Sequence, residues 1–429
     1  MNRKASNLQL DMASSGMSDT ARPQERAPLR ILQLNSRLTG GGIDNHCVML
    51  ADGLQQLGHS VWLAGPGDRA FSTIAYERGL AFHETSSAKP TQMRLIFSTA
   101  NLIKLERIQV VHAHHGRDIW PAIFAAKLSG INPKVVVTRH MAKSPASWAS
   151  RWHLLSQCDA LIAVSNFTAK ILREGVYEPG SPEPERRARP PIVGDLSRIR
   201  VLLGGIDTER FRPFDASARR REWGLAPEHF AFAVVGGCNL PRGKGQREFL
   251  QAAARIHGDF PNARFLIIGN GNLRSVLEDD IRQLGLSDKA ILIPHCDDMP
   301  VAMNAIDCLV HPAVGTEAFG LVISEAHACG KPVIATELDG IPEAFHIGGY
   351  GQLIQPEDIG ALADAMRAWA PRSHENGKRR WELHEKVAGQ LSISAFARRV
   401  VDLYDSILPL DTASLRRRLP YPHSAGMAH

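Results

Sequence analysis

Two glutamates eight positions apart, Glu317 and Glu325, lie in the stretch HPAVGTEAFGLVISEAHACGKPVIAT (311–336). The run CLVHP (308–312) reads as a strand ending near His311-Pro312, and a loop carrying Gly315 follows. A helix opens near Gly320, Gly330 stops it, and Pro332 opens the next strand. This layout puts Glu317 in the loop and Glu325 in the second helical turn, so both carboxylates can reach one pocket. The amides around Gly320, Leu321 and Val322 would point at whatever lies between them, and a helix start favours an anion. A diphosphate held by those amides, with carboxylates on flanking hydroxyls, is coherent chemistry. Taken alone, the spacing is met more often by a capping Glu317 and a solvated Glu325.

A second segment, GGCNLPRGKGQREFL (236–250), comes close to a Walker A loop and departs from it. Five residues separate Gly237 from Gly243, and Gly245 rather than Ser or Thr follows Lys244. No hydroxyl stands there for magnesium, so a phosphate would be held by another arrangement. The turn TGGG (39–42) also follows a strand-like run and precedes a helix. Each turn alone also fits a plain strand-to-helix connection; their matching positions in two halves of the chain strengthen the anion reading.

Metal chemistry finds little footing. No Asp-x-Asp is preceded by an apolar strand; Asp279-Asp280 falls in a helix and Asp297-Asp298 in a loop, and each reads as solvated. His112 and His114 share a strand face, with His115 beside them, and zinc can use such a pair. No third or fourth ligand of suitable spacing lies nearby, so they read as a polar rim at a strand end. No metal site is expected.

These residues must be positioned by the elements around them. Short apolar runs alternate with helical patterns: LRILQLN (29–35), HSVWLAG (59–65), VVHAHH (110–115), VVVTRH (135–140), ALIAVS (160–165) and RIRVLLGGID (198–207). The pattern restarts with FAFAVVG (230–236), RFLIIG (264–269), AILIP (290–294), CLVHP (308–312) and PVIAT (332–336). Such alternation predicts parallel sheets covered by helices on both faces. The expected organisation is a disordered leader over 1–28, a Rossmann-like unit over 29–210, and a second over 211–394 opening on a linker (211–224). A helix over 395–408 returns to the first unit, and a loose tail runs over 409–429. EPGSPEPERRARPPIVGD (178–195), rich in Pro and charge, reads as a mobile insertion. The segment SWASRWHLL, with Trp148 and Trp152, is expected to pack in the core.

Composition bounds the rest. The 429 residues suit two domains, with 44% hydrophobic and 22% charged residues as in ordinary globular proteins. The net charge of +6 is mild, compatible with anionic substrates or a membrane surface, and does not point to nucleic acid. The basic excess is partly local, at Arg186, Arg187 and Arg189 and at Arg416, Arg417 and Arg418. The six cysteines form no Cys-x-x-Cys pair, which fits buried thiols in a reducing cytoplasm. No apolar run approaches a membrane span, and the leader lacks an apolar signal region. A cytoplasmic protein is expected, with peripheral contact at the inner face of the membrane as its one lipid option.

EAFGLVISEAHACGKPVIAT resembles, almost position by position, the Glu-x7-Glu motif of the retaining glycosyltransferases of family 4. The upstream loop is similar to that family's Gly-Arg-Leu-x-x-x-Lys-Gly segment, with Leu240, Lys244 and Gly245 aligned. ELDGIPEAF resembles its Gly-Gly-Ile-Pro-Glu turn, and GGGIDNHCVMLADGLQQLGHSV its first helix. The resemblance spans roughly 29–405 and implies a GT-B fold: α/β, two Rossmann-like doubly wound domains facing across a cleft. It also implies a retaining glycosyltransferase that uses a nucleoside-diphosphate sugar as donor, with no separate cofactor. A glycan or lipid-linked acceptor is expected, in cell-surface polysaccharide or lipopolysaccharide assembly. A soluble small-molecule glycosyltransferase and a non-catalytic nucleotide-sugar binder are the alternatives. By resemblance Lys244 contacts the diphosphate, Glu325 the ribose hydroxyls, Glu317 the donor sugar, and the Phe319, Gly320, Leu321 and Val322 amides sugar and phosphate. His140 falls near the reacting sugar, and Gly41 and Gly42 near acceptor and phosphates. The family's phosphate-binding Arg falls on Asn239 and its Gly on Cys238; an Asn offers a neutral hydrogen bond in place of a bidentate charged one. Arg242 is the candidate substitute. Lysine and helix amides can stabilise a leaving diphosphate without a metal, so metal-independent transfer is expected.

Overall fold

The computed structural model describes residues 27–36, 42–67, 69–85, 92–145, 147–177, 188–239, 243–294, 296, 298–370 and 377–409. The leader up to 26, the tail from 410, residues 178–187 of the insertion, Gly41, Leu240, Arg242 and Asp297 lie outside the described residues.

Two parallel sheets organise the described chain. The first contains β1 (Arg30–Leu34), β2 (Ser60–Gly65), β3 (Ala81–Glu84), β4 (Val110–Ala113), β5 (Lys134–Arg139), β6 (Ala160–Ala163) and β7 (Ile199–Val201). Their spatial order is β3-β2-β1-β4-β5-β6-β7. The second contains β8 (Phe230–Val235), β9 (Ala263–Ile268), β10 (Ala290–Ile293), β11 (Cys308–His311), β12 (Val333–Thr336) and β13 (Gly351–Ile354), in the order β10-β9-β8-β11-β12-β13. Strands such as FAFAVV are buried at every position, as expected where helices cover both faces. In each sheet the order reverses once: between β1 and β4 in the first, and between β8 and β11 in the second. The loops leaving the carboxyl ends of those four strands open the crevices where ligands bind in open α/β sheets. They carry Asn35, Ser36, His114, Lys244 and Glu317.

Helices seat on these sheets by apolar stripes at helical spacing. In Gln246–Ile256, Phe249, Leu250, Ala253 and Ile256 are buried. In Ile393–Ile407, Phe396, Ala397, Val400, Leu403 and Tyr404 are buried, and they join the core of the first sheet. Ser392 caps this last helix by accepting from the Ala395 amide. The Tyr404 hydroxyl reaches the first sheet itself: it lies 2.6 Å from His112 Nδ1 and accepts from Gln33 Nε2 at 3.2 Å.

Several expectations need correction. The last strand of the first sheet is only Ile199–Val201; the glycines after it turn the chain away, and Ile206 instead bridges to Ser392. The edge strands Ala81–Glu84 and Gly351–Ile354 have no continuous apolar run to announce them. The linker over 211–224 is docked on the second sheet: Arg220 pairs with Asp307 at 2.8 Å and donates to the Ala305 carbonyl. Within the insertion, 188–195 is held: Ala188–Arg189 pairs antiparallel with Val176–Tyr177, and Ile192 is buried in the core. Trp148 and Trp152 do not pack in the core; they are 62% and 51% exposed.

Replacing Tyr404 with Phe keeps the ring and removes the hydroxyl that serves both His112 and Gln33. The buried partners then lose a hydrogen bond, and urea unfolding should show a loss of about 1–3 kcal/mol.

Candidate functional site

Backbone geometry brings Lys244 to Glu317. Gly245 precedes the Gln246–Ile256 helix in a left-handed conformation, φ 83°, and any side chain there would run into the Pro312 carbonyl oxygen. The loop after β8 therefore lies directly on the loop after β11. The Lys244 amide donates to Gln246 Oε1 at 2.6 Å, and Gln246 Nε2 donates to the Gly237 carbonyl at 3.3 Å. Lys244 Nζ then donates to Glu317 Oε2 at 2.6 Å.

The Glu317 loop is braced from the far side. Its amide donates to Asp339 Oδ2 at 3.1 Å, and its carbonyl accepts from the Gly340 amide at 3.1 Å. Buried His311 places Nε2 3.6 Å from the carboxylate. Burial would raise the Glu317 carboxyl, but the His311 imidazole and the Lys244 ammonium outweigh it and hold the group at about 2. Glu317 is thus an anion throughout the physiological range.

Gly320 precedes the Leu321–Ala328 helix with φ 88°. The Leu321 and Val322 amides open that helix and have no intrahelical acceptor. The Phe319 side chain is buried in the core, so only its backbone can face a ligand. Glu325 retains partial exposure, yet protein crowds its carboxyl, and burial lifts it to about 7. No hydrogen bond or ion pair reaches that carboxyl among the described residues. The site therefore holds one carboxylate fixed as an anion and one poised near neutrality.

On the first sheet, Gly42 is exposed at the start of the Gly42–Gln56 helix. His140, half-buried just past β5, has its ring 4.6 Å from that of His46 on the same helix, edge to face. Neither His112 nor His114 forms a polar rim: both are buried, His112 between Tyr404 and Thr138 and His114 against Gln33. Burial lowers His46 to about 4 and His112 to about 3, and takes His114 and His140 well below the usual imidazole range. The two halves approach at Gly204: a Cβ placed there would stand 3.5 Å from both His46 Nδ1 and Leu321 Cδ2. They also bond directly, Ser165 Oγ donating to the Ala318 carbonyl at 2.6 Å. The Glu343 carboxylate accepts from the Asn166 and Phe167 amides at 2.8 and 2.7 Å.

Among the candidate residues, Lys244 and Glu317 are in contact, and Gly320, Leu321 and Val322 form the adjoining helix start. Glu325 lies one turn further along, with no bond to either. Asn239 is exposed in the loop before Lys244, and its carbonyl accepts from the Gly243 amide at 2.7 Å. Sequence reasoning weighed His114 as a zinc ligand and set it aside, and it did not place His311, His46 or Asp339 in the site, although they lie in HPAVGTEAFG, GGGIDNHC and ELDGIPEAF, three of the segments quoted above.

Two family models match the chain: Glycosyltransferase Family 4 over residues 40–180 and Glycosyl transferases group 1 over 218–382. Together they cover the whole second sheet, the first sheet apart from β1 and β7, and the loops that carry Lys244, Glu317 and Leu321. The chain is a family 4 glycosyltransferase. A phosphatidyl-myo-inositol mannosyltransferase of Propionibacterium freudenreichii is 27% identical over 85% of this chain and 91% of that protein. A D-inositol 3-phosphate glycosyltransferase of Mycolicibacterium smegmatis is 34% identical, over 40% of each chain only. Among solved structures, a glycosyltransferase from Rickettsia africae has TM-score 0.74 at 20% identity, covering 90% of this chain and 100% of that one. Anabaena HepE in complex with UDP has TM-score 0.70 at 18% identity, covering 88% and 100%. These likenesses establish the GT-B fold of this family 4 glycosyltransferase.

Folded Glu325 holds its proton at about 7, against an ordinary 4.5 in the unfolded chain. Its contribution to stability is present below the unfolded value and is lost as pH rises through the folded one. Glu325→Gln removes that loss. Thermal melts should show the variant gaining on the parent between about pH 5 and about pH 8. A difference that stays flat or falls across this window would contradict the burial of the carboxyl.

Proposed function

We propose that this glycosyltransferase moves a sugar from a nucleoside-diphosphate sugar to a hydroxyl of a glycan or lipid-linked acceptor, with retention of configuration and without a metal at the diphosphate. The setting is cell-surface polysaccharide or lipopolysaccharide assembly. The observation that carries this reading is the Lys244–Glu317 pair at 2.6 Å beside the Leu321–Ala328 helix start. A diphosphate arriving there meets a cation and free amides, which offset the charge that builds as it leaves. Lys244 turns to the diphosphate, and Glu317, still ionised, accepts from hydroxyls of the donor sugar. Glu325 accepts from the ribose hydroxyls, and His140 stands on the acceptor side of the reacting carbon. In the step itself the bond from the anomeric carbon to the diphosphate oxygen breaks and a bond to the acceptor oxygen forms. The acceptor's proton passes to the leaving phosphate, so no protein nucleophile is needed.

HepE was crystallised with UDP, with UDP and glucose, and with UDP-glucose, which supports a nucleoside-diphosphate sugar as donor here. The named relatives act on inositol-bearing acceptors, one lipid-linked and one a small phosphate ester. A soluble polyol phosphate is therefore the second reading for the acceptor. The lipid-linked reading draws on exposed Met93, Phe97, Phe124, Leu128, Trp148 and Trp152, all on the first lobe, with Arg94, Lys104 and Lys127 on the same helices as the first four. Such a face suits peripheral contact with an anionic membrane. No described helix is long and apolar enough to cross one.

Release of nucleoside diphosphate from a panel of donors tests the reading. Lys244→Ala and Glu317→Gln should each lower kcat/KM by about 100-fold or more, with unchanged circular dichroism, and a chelator should leave parent turnover intact. Full turnover in both variants would remove these residues from the reaction. Product NMR should show the donor's anomeric configuration retained. Flotation with anionic liposomes at low salt separates the lipid-linked from the soluble acceptor.

A further inference from the structure

Three imidazoles from separate parts of the first lobe converge on one spot. His46 comes from the Gly42–Gln56 helix, His114 from the residue after β4, and His140 from the residue after β5. The His46 and His140 ring centroids are 4.6 Å apart, and each is 5.7 Å from that of His114. One nitrogen from each ring can be chosen so that all three lie within 4.8 Å of one another. Each ring also keeps a buried nitrogen with no hydrogen-bond partner: His46 Nε2, His114 Nδ1 and His140 Nε2. His46 and His114 are only 3% and 2% exposed. A buried polar atom left unpaired is costly, so one such nitrogen on each of three neighbouring rings calls for an occupant.

The tautomer of His114 follows from its neighbours. Gln33 Nε2 donates to the Tyr404 hydroxyl, which turns the amide oxygen towards His114. His114 Nε2 lies 2.6 Å from Gln33 Oε1 and must donate to it. A neutral ring has one N–H, so His114 Nδ1 carries a bare lone pair. A neutral imidazole oriented by an outer amide, with its other nitrogen bare, is how a metal-binding histidine is prepared. His112 does not join, because Nδ1 faces Tyr404 and Nε2 faces Thr138, each at 2.6 Å.

We infer that His46, His114 and His140 form a site for a single divalent transition-metal ion of the zinc class, with one coordination position left open. An all-imidazole donor set selects zinc, cobalt, nickel or copper over magnesium or calcium, which take oxygen ligands. Zinc–nitrogen bonds of about 2.0–2.1 Å put tetrahedral ligand atoms about 3.4 Å apart, so the rings draw inward on binding. The His46 nitrogen without a partner is Nε2, on the side of the ring away from the Nδ1 that faces Gly204. The site shares His140 with the proposed transfer chemistry, and in that respect alone rests on that reading; the geometry does not depend on it.

The test uses the full-length chain, stripped with a chelator and titrated with cobalt(II) in nucleotide-free buffer. One cobalt per chain should bind, with visible absorption typical of four-coordinate imidazole ligation, and one zinc should displace it. His46→Ala and His140→Ala should each weaken binding about tenfold or more, and Gln33→Leu, which frees the His114 ring, about 10–100-fold. A readout that needs no variant is the imidazole 15N NMR of the parent chain: three ring nitrogens should shift on zinc addition. No saturable cobalt binding, equal affinity in folded His46→Ala and His140→Ala, or shifts confined to other histidines would each overturn the site. Since no nucleotide is present, any of these outcomes leaves the donor-site reading standing, while loss of nucleotide turnover in Lys244→Ala says nothing about the ion.

Discussion

The contact on which the donor half depends is between two backbones. Gly245 lies against the Pro312 carbonyl, with no room for a side chain between them. That approach joins the loop after β8 to the loop after β11, the two strands at which the second sheet reverses its order. Lys244 and Glu317 can meet at 2.6 Å only because their loops are stacked in this way. The ion pair is a consequence of the close approach, and its charge state follows in turn. Lys244 and His311 overcome the cost of burying Glu317, while Glu325, with no such partner, is left to burial alone. Two carboxylates eight positions apart, one in the loop and one on the helix that follows, thus acquire opposite tendencies from neighbours, with no difference in residue type.

The sheets and this half of the site were legible because their signals are local. Alternating apolar runs set the strands, and Gly-Lys-Gly (243–245) and Glu-x7-Glu each lie within a single loop and helix. The other half was not. His46, His114 and His140 are spread along the chain, and nothing in the run VVHAHH tells that His114 will meet a histidine from the first helix. Folding β1, β4 and β5 side by side creates that meeting, and a search for ligands at short spacing cannot see it. The same reason hid Tyr404, which reaches Gln33 and His112 only after the last helix crosses back to the first sheet. The edge strands Ala81–Glu84 and Gly351–Ile354 escaped for a different cause: short and partly exposed, they lack the continuous apolar run that marks a strand buried on both faces.

Besides Ile206, which is buried in the core of the second sheet, the halves are joined by polar contacts at helix ends. Glu343 accepts from the first two amides of the Asn166–Glu174 helix, groups that have no acceptor within their own helix. A carboxylate at that position also complements the helix dipole. Ser165, which caps the same helix, donates across to the Ala318 carbonyl next to Glu317. The loop that holds the anionic side chain and the helix start of the opposite lobe are therefore tied within one residue of each other. Bonds of this kind exchange readily with water, unlike a buried apolar contact such as that of Ile206.

The contrast between the two faces of the cleft completes the argument. On the second lobe the site is charged, with a cation, a fixed anion and open helix amides. On the first, burial above all keeps four imidazoles uncharged, three of their nitrogens are unpaired, and the one cation acting on His140 from its own segment is Arg139. The difference arises from neighbours rather than residue types: Lys244 and His311 keep the buried Glu317 ionised, while the histidines of the first lobe meet burial with no carboxylate beside them to hold a proton.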